Sequence, residues 1–360
     1  METLKIAISL LTITIFTVAW KILNWLWLNP RKKERFLRKQ GFKGNPYTFR
    51  RLLFGDEKES EKVYEEAFAK PINMHDPIVP RVVPFIHKTL ENYGNKSFMW
   101  AGQRPKVLIM EPELMKTVMV KHSNFVKNFK VTNNIVQDLI TGIIRYESAD
   151  WAKRRGILNP AFQMEKLKVN SSHQKIPVYQ NCCNDVVNEW KELASKDVTV
   201  DVLPHFENLI ARIVSESLLP MILNEVLRLY PPVVELSRLV EEEMQLGEYT
   251  IPADTQVMLP IIVIHRDPQY WGEDANEFNP HRFSEGVVKA TKGRPIYFPF
   301  GWGPRVCIGQ NFAFLSAKLV LVDILRTFSF EISPTYIHAP HVIFTLQPQF
   351  GAPIILRNLN

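Results

Sequence analysis

The sequence has few cysteines, few glycines and no excess of positive charge over most of its length. Only three cysteines occur in 360 residues: Cys182 and Cys183 are adjacent, and Cys307 lies far downstream. This set excludes a disulfide framework and the paired spacing of a zinc site, and it favours a reducing compartment. The hydrophobic share of 46% is typical of a globular chain with a large core.

The net charge of +7 is confined to the N-terminus. Residues 1–43 hold nine Lys or Arg against two acids, whereas residues 44–360 hold 35 side chains of each sign. A neutral main part gives no basic face for a nucleic acid, so the chain is not expected to bind one.

Residues 1–28 have the pattern of a membrane anchor. The segment from Ile6 to Trp20 is uncharged and mostly apolar, and after Lys21 the apolar character continues to Leu28. As a helix, these residues would reach about 35 Å, enough to cross a bilayer. A cleaved signal peptide and a buried core helix are the alternatives, but no small-residue cleavage site follows the apolar run.

Residues 29–50 read as a basic, proline-containing connector after the span. Six positive charges lie between Arg31 and Lys39, against almost none before the span. The positive-inside rule therefore places the rest of the chain in the cytosol.

Local patterns predict an α+β chain that is mainly α. Helices are expected at Glu111–His122, Ile176–Trp190, Leu219–Tyr230 and Ile308–Phe328. Strands are expected at Ser97–Trp100, Lys106–Met110, Gln256–Leu259, Ile261–Ile264, Ile343–Leu346 and Pro353–Leu356, with the first two forming a hairpin.

The stretch FPFGWGPRVCIGQ, residues 298–310, is the most informative part of the sequence. Its glycines let the main chain bend tightly around Cys307, and the following apolar helix can stabilise a thiolate with its N-terminal end. Arg305 has the reach for a ligand carboxylate, and Phe300 can shield the sulfur. For a lone cysteine, a buried structural role in a glycine turn would be the favoured interpretation.

The full pattern formed by Phe300, Gly303, Arg305, Cys307 and Gly309 resembles the haem-ligand loop of the cytochrome P450 family. The resemblance implies a cytochrome P450 fold in which Cys307 is the axial ligand of the iron of haem b. It also implies that Phe300, Arg305 and Gly309 belong to the cofactor site, with Arg305 directed at a haem propionate.

A second constellation is similar to the ion network of the same family. Glu225 and Arg228 lie three residues apart on an apolar helix, a spacing that is usually a solvated surface pair. The resemblance implies instead that they join Arg282 in a buried network that stabilises the haem loop and takes no part in the reaction.

Three further residues match cofactor contacts of the family. Trp151 and Arg155 resemble its Trp-x-x-x-Arg signature, which meets a haem propionate, and Arg238 matches another arginine that binds a propionate. Each match would be weak alone, and its place in the family order supports it.

The resemblance implies a monooxygenase of the endoplasmic reticulum membrane. Such an enzyme inserts one oxygen atom from O2 into an apolar small molecule, with electrons from NADPH through NADPH-cytochrome P450 reductase. The implied topology is single-pass, with the catalytic domain facing the cytosol. The C-terminal sequence around 333–353 is similar to a plant group of terpenoid oxidases that includes secologanin synthase.

The sequence departs from the family between Arg155 and Glu225, where only 69 residues are present. The distal helix with its Ala/Gly-Gly-x-Asp/Glu-Thr-Thr/Ser signature is missing, so no catalytic acid or threonine is identified. The haem domain is expected at 51–360, with an internal deletion near 215–222 from splicing or misprediction.

This gap leaves three hypotheses. The chain is an active monooxygenase, a catalytically incompetent remnant, or a membrane-tethered interaction protein without haem. The deletion is also expected to leave the apolar faces of the Glu225 helix and the Ile308 helix uncovered.

Overall fold

The computed structural model describes residues 2–127, 142–162 and 218–358, which combine helices with a mixed sheet. The helices are α1 (Glu2–Leu23), α2 (Asn29–Lys39), α3 (Glu57–Phe68), α4 (Val79–Val82), α5 (Pro84–Tyr93), α6 (Pro112–Val120), α7 (Ser148–Leu158), α8 (218–229), α9 (Ile261–His265), α10 (Pro268–Trp271), α11 (Val287–Ala290) and α12 (Gln310–Thr327). Short 3₁₀ turns lie at Phe49–Arg51, Gly142–Arg145, Asn159–Phe162, Pro280–Phe283 and Gly303–Arg305. The α+β class expected from the sequence is confirmed.

Twelve strands are found among the described residues. They are β1 (Lys43–Gly44), β2 (Ser97–Ala101), β3 (Arg104–Leu108), β4 (Phe125–Val126), β5 (Leu236–Val240), β6 (Met244–Leu246), β7 (Tyr249–Ile251), β8 (Thr255–Leu259), β9 (Phe328–Ile332), β10 (Pro340–Val342), β11 (Leu346–Pro348) and β12 (Ile354–Asn358). Six of them form one sheet in the order β1-β2-β3-β8-β5-β4, and the others pair as β6-β7, β9-β12 and β10-β11.

The predicted hairpin is confirmed by the antiparallel pairing of β2 with β3, in which Phe98 lies opposite Val107. Gly102 in the connecting turn has φ +57°, a backbone conformation that glycine adopts without steric cost. Strand β3 then pairs in parallel with β8, which carries the sheet toward β5.

The edge of the sheet at β4 and β5 positions two cations. Val126 of β4 pairs with Leu239 of β5, so continuing the antiparallel register by one residue places Lys127 opposite Arg238. Arg238 lies on β5, between β8 and the edge strand β4, and is only 8% exposed. The pairing of β4 with β5 thus brings the side chains of Lys127 and Arg238 close together.

The N-terminal helix continues from α1 into α2 through a π-helical turn at Asn24–Leu28. It contains a stretch long and apolar enough to cross a membrane, and the side chains of that stretch are exposed. The segment expected as a connector thus begins with helix α2, which packs on the domain through Leu37 and through the ion pair of Lys33 with Asp254 at 3.2 Å. The Tyr47 hydroxyl donates to the carbonyl of Leu26 at 2.8 Å and ties the π turn to the domain.

The core lies on both sides of the six-stranded sheet. One apolar cluster includes Phe98, Val107 and Val257 and continues to Phe298 at the start of the Cys307 loop. The other packs α4 and α5 against the opposite side chains of the same strands, including Met99 and Leu108. Alternation along β2 and β3 therefore fills both faces, as expected for a sheet covered on each side.

Most of the predicted elements agree with the structure. The expected helices at Glu111–His122, Leu219–Tyr230 and Ile308–Phe328 correspond to α6, α8 and α12, and the strand at Gln256–Leu259 corresponds to β8. The strand at Pro353–Leu356 corresponds to β12. The helix expected at Ile176–Trp190 lies outside the described residues.

Two predicted strands are wrong. Ile261–Ile264 forms part of helix α9, which follows Pro260 at the end of β8 and in which Ile261, Ile262 and Ile264 are buried. Short apolar runs do not distinguish a buried strand from a buried helix. Ile343–Leu346 falls mostly on the bend between β10 and β11 and enters β11 only at its last residue.

Candidate functional site

The candidate site is built around the loop that carries Cys307. The backbone N–H of Cys307 donates to the carbonyl of Phe300 at 2.8 Å and closes this loop. Helix α12 begins at Gln310 after Gly309, so the sulfur lies three residues before the helix start. The cysteine side chain is exposed. A thiolate here would benefit from the positive end of the helix dipole.

Gly303 is required by close packing inside this loop. Its φ is +71°, and a Cβ atom there would lie 3.2 Å from the carbonyl oxygen of Met119, at the end of α6. A larger residue would therefore push the loop away from α6 and shift Cys307. Gly309, in contrast, has an ordinary φ of −84°.

The ring of Phe300 packs against Phe314 on the first turns of α12, with 5.6 Å between the ring centroids. This contact fixes the base of the loop against the helix. Shielding of the sulfur by Phe300 stays a prediction, since the contact seen for its ring is with Phe314.

Four cationic side chains converge on the same region. Arg305 lies over the ring of the buried Trp151 at 4.5 Å and donates to the carbonyl of Tyr146 at 3.1 Å. The cationic side chains are those of Arg305, Arg238, Lys127 and Arg155. Burial, followed by the repulsion of Arg305 and Arg238, lowers the pKa of Lys127 to about 8.

The other cations respond in the same direction. Burial lowers the pKa of Arg238 to about 10, and the proximity of Arg305 adds to this effect. Burial also lowers the pKa of Arg155, and the nearby Cys307 sulfur opposes that shift. Arg155 bonds Asn159 on its own helix at 2.7 Å. Burial is the main cause of each shift, and the repulsion between Arg305, Arg238 and Lys127 adds to it for two of the groups, so the region favours an anion.

The donors of this region fit a flat ligand that carries two carboxylates. The Nε atom of Arg305 and the Nδ1 atom of His122 are buried without a hydrogen-bond partner. His122 packs edge-on against Trp151, with ring centroids 5.2 Å apart. Among the described residues, no group of three His, Cys, Asp or Glu could hold a bare metal ion. A preformed cofactor held by one thiolate and several cations suits this donor set better.

The predicted ion network is buried but differs from its expected form. Arg228 binds Glu225 through two bonds, Nε–Oε2 at 2.8 Å and Nη2–Oε1 at 2.7 Å, and both side chains are 0% exposed. Arg282 lies 3.7 Å from Glu225, but its close partner is Asp274 at 2.7 Å. The network is therefore a tight pair with Arg282 at its margin.

His265 connects this ion pair to the cysteine loop. Its carbonyl accepts from Arg228 at 2.8 Å, and its Nε2 atom accepts from the backbone N–H of Phe298 at 3.1 Å. Burial and the neighbouring Arg228 lower the pKa of His265 to about 3, so the ring is neutral and can accept this bond. The pair thus holds the first residue of the 298–310 stretch through a chain of hydrogen bonds.

The structure brings together Cys307, Arg305, Trp151, Arg155 and Arg238, all of which the sequence predicted. Sequence reasoning missed His122, Lys127, Glu147 and Asp274, which lie in no recognised motif. Two of them could have been found from their place in the sequence. His122 and Lys127 flank β4, and β4 pairs with β5, the strand that carries Arg238.

Comparison with known proteins identifies the family of this chain. The profile of the cytochrome P450 family matches residues 80–219 and 210–348. Secologanin synthase 1 from Catharanthus roseus is 33% identical over 529 positions, with 100% of this chain and 99% of the relative covered. Cytochrome P450 72A397 from Kalopanax septemlobus is 35% identical over 506 positions, with 95% of each covered.

The alignment with secologanin synthase 1 is 169 positions longer than this chain, although it reaches almost both ends of the relative. The relative therefore has internal positions that no residue of this chain matches. A second Catharanthus roseus relative, 7-deoxyloganic acid hydroxylase, shows 32% identity over 523 positions, with 98% of this chain and 99% of the relative covered.

These matches cover the cysteine loop, the ion pair and most of the sheet. Members of the matched family use haem b and are oxidoreductases. This chain belongs to the cytochrome P450 family of haem-containing monooxygenases.

Proposed function

We propose that this chain binds haem b with the Cys307 thiolate as the axial ligand of the iron. The observation that carries the proposal is the convergence of one exposed cysteine with Arg305, Arg238 and Arg155 at one place. Bound haem would supply the activation of molecular oxygen, and the protein would hold and orient it.

The cations have separate roles in this proposal. Arg305 and Arg238 bind haem propionates, and the Trp151 indole with Arg155 completes the contact from helix α7. Phe300 excludes water from one side of the thiolate, and Gly309 leaves room beside the sulfur, because a Cβ there would lie 3.9 Å from Sγ.

The Glu225–Arg228 pair acts on the structure of the site and not on the reaction. It lies inside the core and reaches the cysteine loop through His265. Arg282 supports the pair and anchors the 280–283 turn to Asp274. Together they hold the loop in the shape that haem ligation needs.

The proposed substrate is an apolar, terpenoid-like small molecule, and the proposed electron source is NADPH through cytochrome P450 reductase. The support is the similarity to plant P450s, two of them named as secologanin synthase and 7-deoxyloganic acid hydroxylase. The exposed apolar helix supports attachment to the endoplasmic reticulum membrane, with residues 29–360 on the cytosolic side.

The proposed domain organisation is an anchor at 1–28, a basic segment at 29–50 and a haem domain at 51–360 with a deletion near 215–222. The two parts of the family match meet at residues 210–219, which supports a junction in this region. The 169 unmatched positions support the same interpretation.

A second candidate function follows from that deletion: a haem-binding chain that does not oxygenate a substrate. The sequence lacks the acid and threonine signature of the distal helix, which the family uses to deliver protons. Oxygen cleavage needs such a pocket to supply protons and exclude bulk water.

Thiolate ligation is tested with the difference spectrum of the reduced, carbon-monoxide-treated full chain in detergent. We expect the thiolate type of spectrum from the parent and its loss in Cys307→Ser. Cys182→Ser and Cys183→Ser are matched controls that should keep it. A Cys307→Ser variant with the parent spectrum would remove Cys307 from this role.

The two candidate functions are separated by reconstitution with the reductase and NADPH. We expect NADPH oxidation to yield peroxide and no oxygenated product. Insertion of the matching segment of a relative at 215–222 should restore product formation. Stoichiometric product from the unmodified chain would contradict the second candidate and establish the monooxygenase.

A further inference from the structure

Glu147 is a carboxylate at the centre of the cationic region. Its Oε2 atom forms an ion pair with Nη2 of Arg305, and its Oε1 atom accepts from the backbone N–H of Lys127 at 3.4 Å. The residue immediately precedes helix α7, and its carbonyl accepts from the backbone N–H of Trp151 at 3.2 Å. The carboxylate thus pairs with Arg305, a proposed haem contact, while the backbone of the same residue begins the helix that carries Trp151.

A strained residue fixes the direction of this side chain. Ser148, the next residue, has φ +48°, which few residues with a Cβ adopt. The backbone therefore turns between Glu147, which pairs with Arg305, and the helix that carries Trp151. Such strain persists only where surrounding contacts enforce it, and the ion pair is one such contact.

The charges around Glu147 are unequal. Its carboxylate acts electrostatically on Arg305, Arg238 and Lys127, and also on His122. One negative charge therefore faces at least three positive ones. The remaining positive charge suits a ligand with two carboxylates, but one preferred position is already taken by a carboxylate of the chain itself.

We propose that Glu147 occupies, in the haem-free chain, the position that a haem propionate takes on Arg305, so that haem must displace it. This inference rests on the proposed haem site. It assigns Glu147 a role as an internal competitor that satisfies the cations until the cofactor arrives.

The free donors of Arg305 support this exchange. Glu147 contacts only Nη2, whereas Nε of Arg305 is buried without a partner. The Nε–Nη2 edge of a guanidinium is the edge that a carboxylate binds with two bonds. Within the described part of the chain, Glu225 shows that arrangement, because it binds both Nε and Nη2 of Arg228. A propionate that replaced Glu147 would gain the second bond that Glu147 does not make.

The test is titration of the haem-free full chain in detergent with haemin, followed by the Soret absorbance. We expect Glu147→Gln to lower the Kd for haemin about tenfold, the effect of removing one competing charge. Asp150→Asn, which removes an exposed carboxylate from the next helical turn, should leave the Kd unchanged. Haemin dimethyl ester has no free carboxylates, so it should bind the parent and Glu147→Gln equally.

A second measurement separates competition from simple stabilisation. Because Arg305 loses its partner, the haem-free Glu147→Gln chain should melt at a lower temperature than the parent while binding haemin more tightly. A merely structural role would lower both the melting temperature and the affinity for haemin. Weaker haemin binding by Glu147→Gln, or an equal gain with the dimethyl ester, would overturn the inference.

The proposed function fails in a different way. If the parent binds haemin with a thiolate spectrum but Glu147→Gln has the same Kd, only the role of Glu147 is wrong. If neither chain binds haemin, both the haem site and the competitor are wrong.

Discussion

The region around Arg228 and the outer face of helix α12 are opposites, although both adjoin the cysteine loop. Arg228 is 0% exposed, and its guanidinium contacts Glu225 and the carbonyls of three other residues. On α12, the apolar side chains of Phe312 and Val320 are 52% and 57% exposed. Among the described residues, one side of the loop is therefore fully packed, whereas the outer face of α12 is exposed.

The difference shows how unequally the described residues bury the two helices next to the cysteine loop. Both the Glu225 helix and the Ile308 helix were expected to be uncovered. The expectation is confirmed for α12, whereas on α8 the side chains of Leu219 and Leu229 are buried. Helix α8 packs against the 265–298 region of the same chain, so its burial does not require the missing positions.

The largest effect is expected from a substitution in the buried Glu225–Arg228 pair. Arg228→Ala leaves the Glu225 carboxylate buried without its partner, which should lower the free energy of unfolding by about 3–5 kcal/mol. Haem content should fall with it, because His265 loses its link to the pair. Denaturant unfolding and the haem-to-protein ratio measure both.

The matched control for that change is Lys62→Ala on α3. Lys62 also pairs with a glutamate on its own helix, Glu66 at 3.7 Å, but both side chains are mostly exposed. The expected loss is below about 1 kcal/mol. Equal losses for Arg228→Ala and Lys62→Ala would show that the buried pair carries no special stability.

The next effect compares apolar side chains on the two helices. Leu229→Ala on α8 should destabilise the chain by about 2–5 kcal/mol through lost burial and a new cavity. Val320→Ala on α12 should change stability by less than about 0.5 kcal/mol and reduce aggregation. Denaturant midpoints and light scattering measure the pair. A large loss for Val320→Ala would mean that α12 is covered in solution.

The smallest effect is a dependence of the free energy of unfolding on pH, caused by the buried His265. The unfolded chain takes up a proton near pH 6.5, whereas the buried ring, with a pKa of about 3, does not. Stability should therefore fall as the pH drops below about 6.5, by about 1.4 kcal/mol at pH 5.5. His265→Gln should flatten that part of the profile in a comparison of unfolding at pH 8 and pH 5.5. A parallel profile for both chains would contradict it.

Local signals predicted the elements whose shape depends on nearby residues. The β2–β3 hairpin follows from its turn, helix α8 ends where Pro231-Pro232 deny donors, and the cysteine loop follows from its glycines. These patterns also identified the residues around Cys307, because the loop and its helix are contiguous in sequence.

Contacts between distant segments could not be read from the sequence. Glu147 and Arg305 are 158 positions apart, and Lys127 meets Arg238 only through the pairing of two strands. The same limit explains Arg282, whose preference for Asp274 over Glu225 depends on the path of the 274–282 loop. Helix α9 was missed because burial of most of its side chains removes the periodicity that would reveal it.

The apolar N-terminal helix is joined to the domain by continuous helix through Asn24–Leu28, and not by a loop. From residue 2 to residue 39 the helix is unbroken. Its C-terminal part is attached to the domain by the hydrogen bond of the Tyr47 hydroxyl to Leu26 and by the ion pair of Lys33 with Asp254. A bilayer that took up the exposed part of this helix, before Leu26, would therefore transmit its tilt to the sheet and to the cysteine loop. The distance and the tilt of the domain relative to the membrane would then be set by the helix, because no loop separates the two.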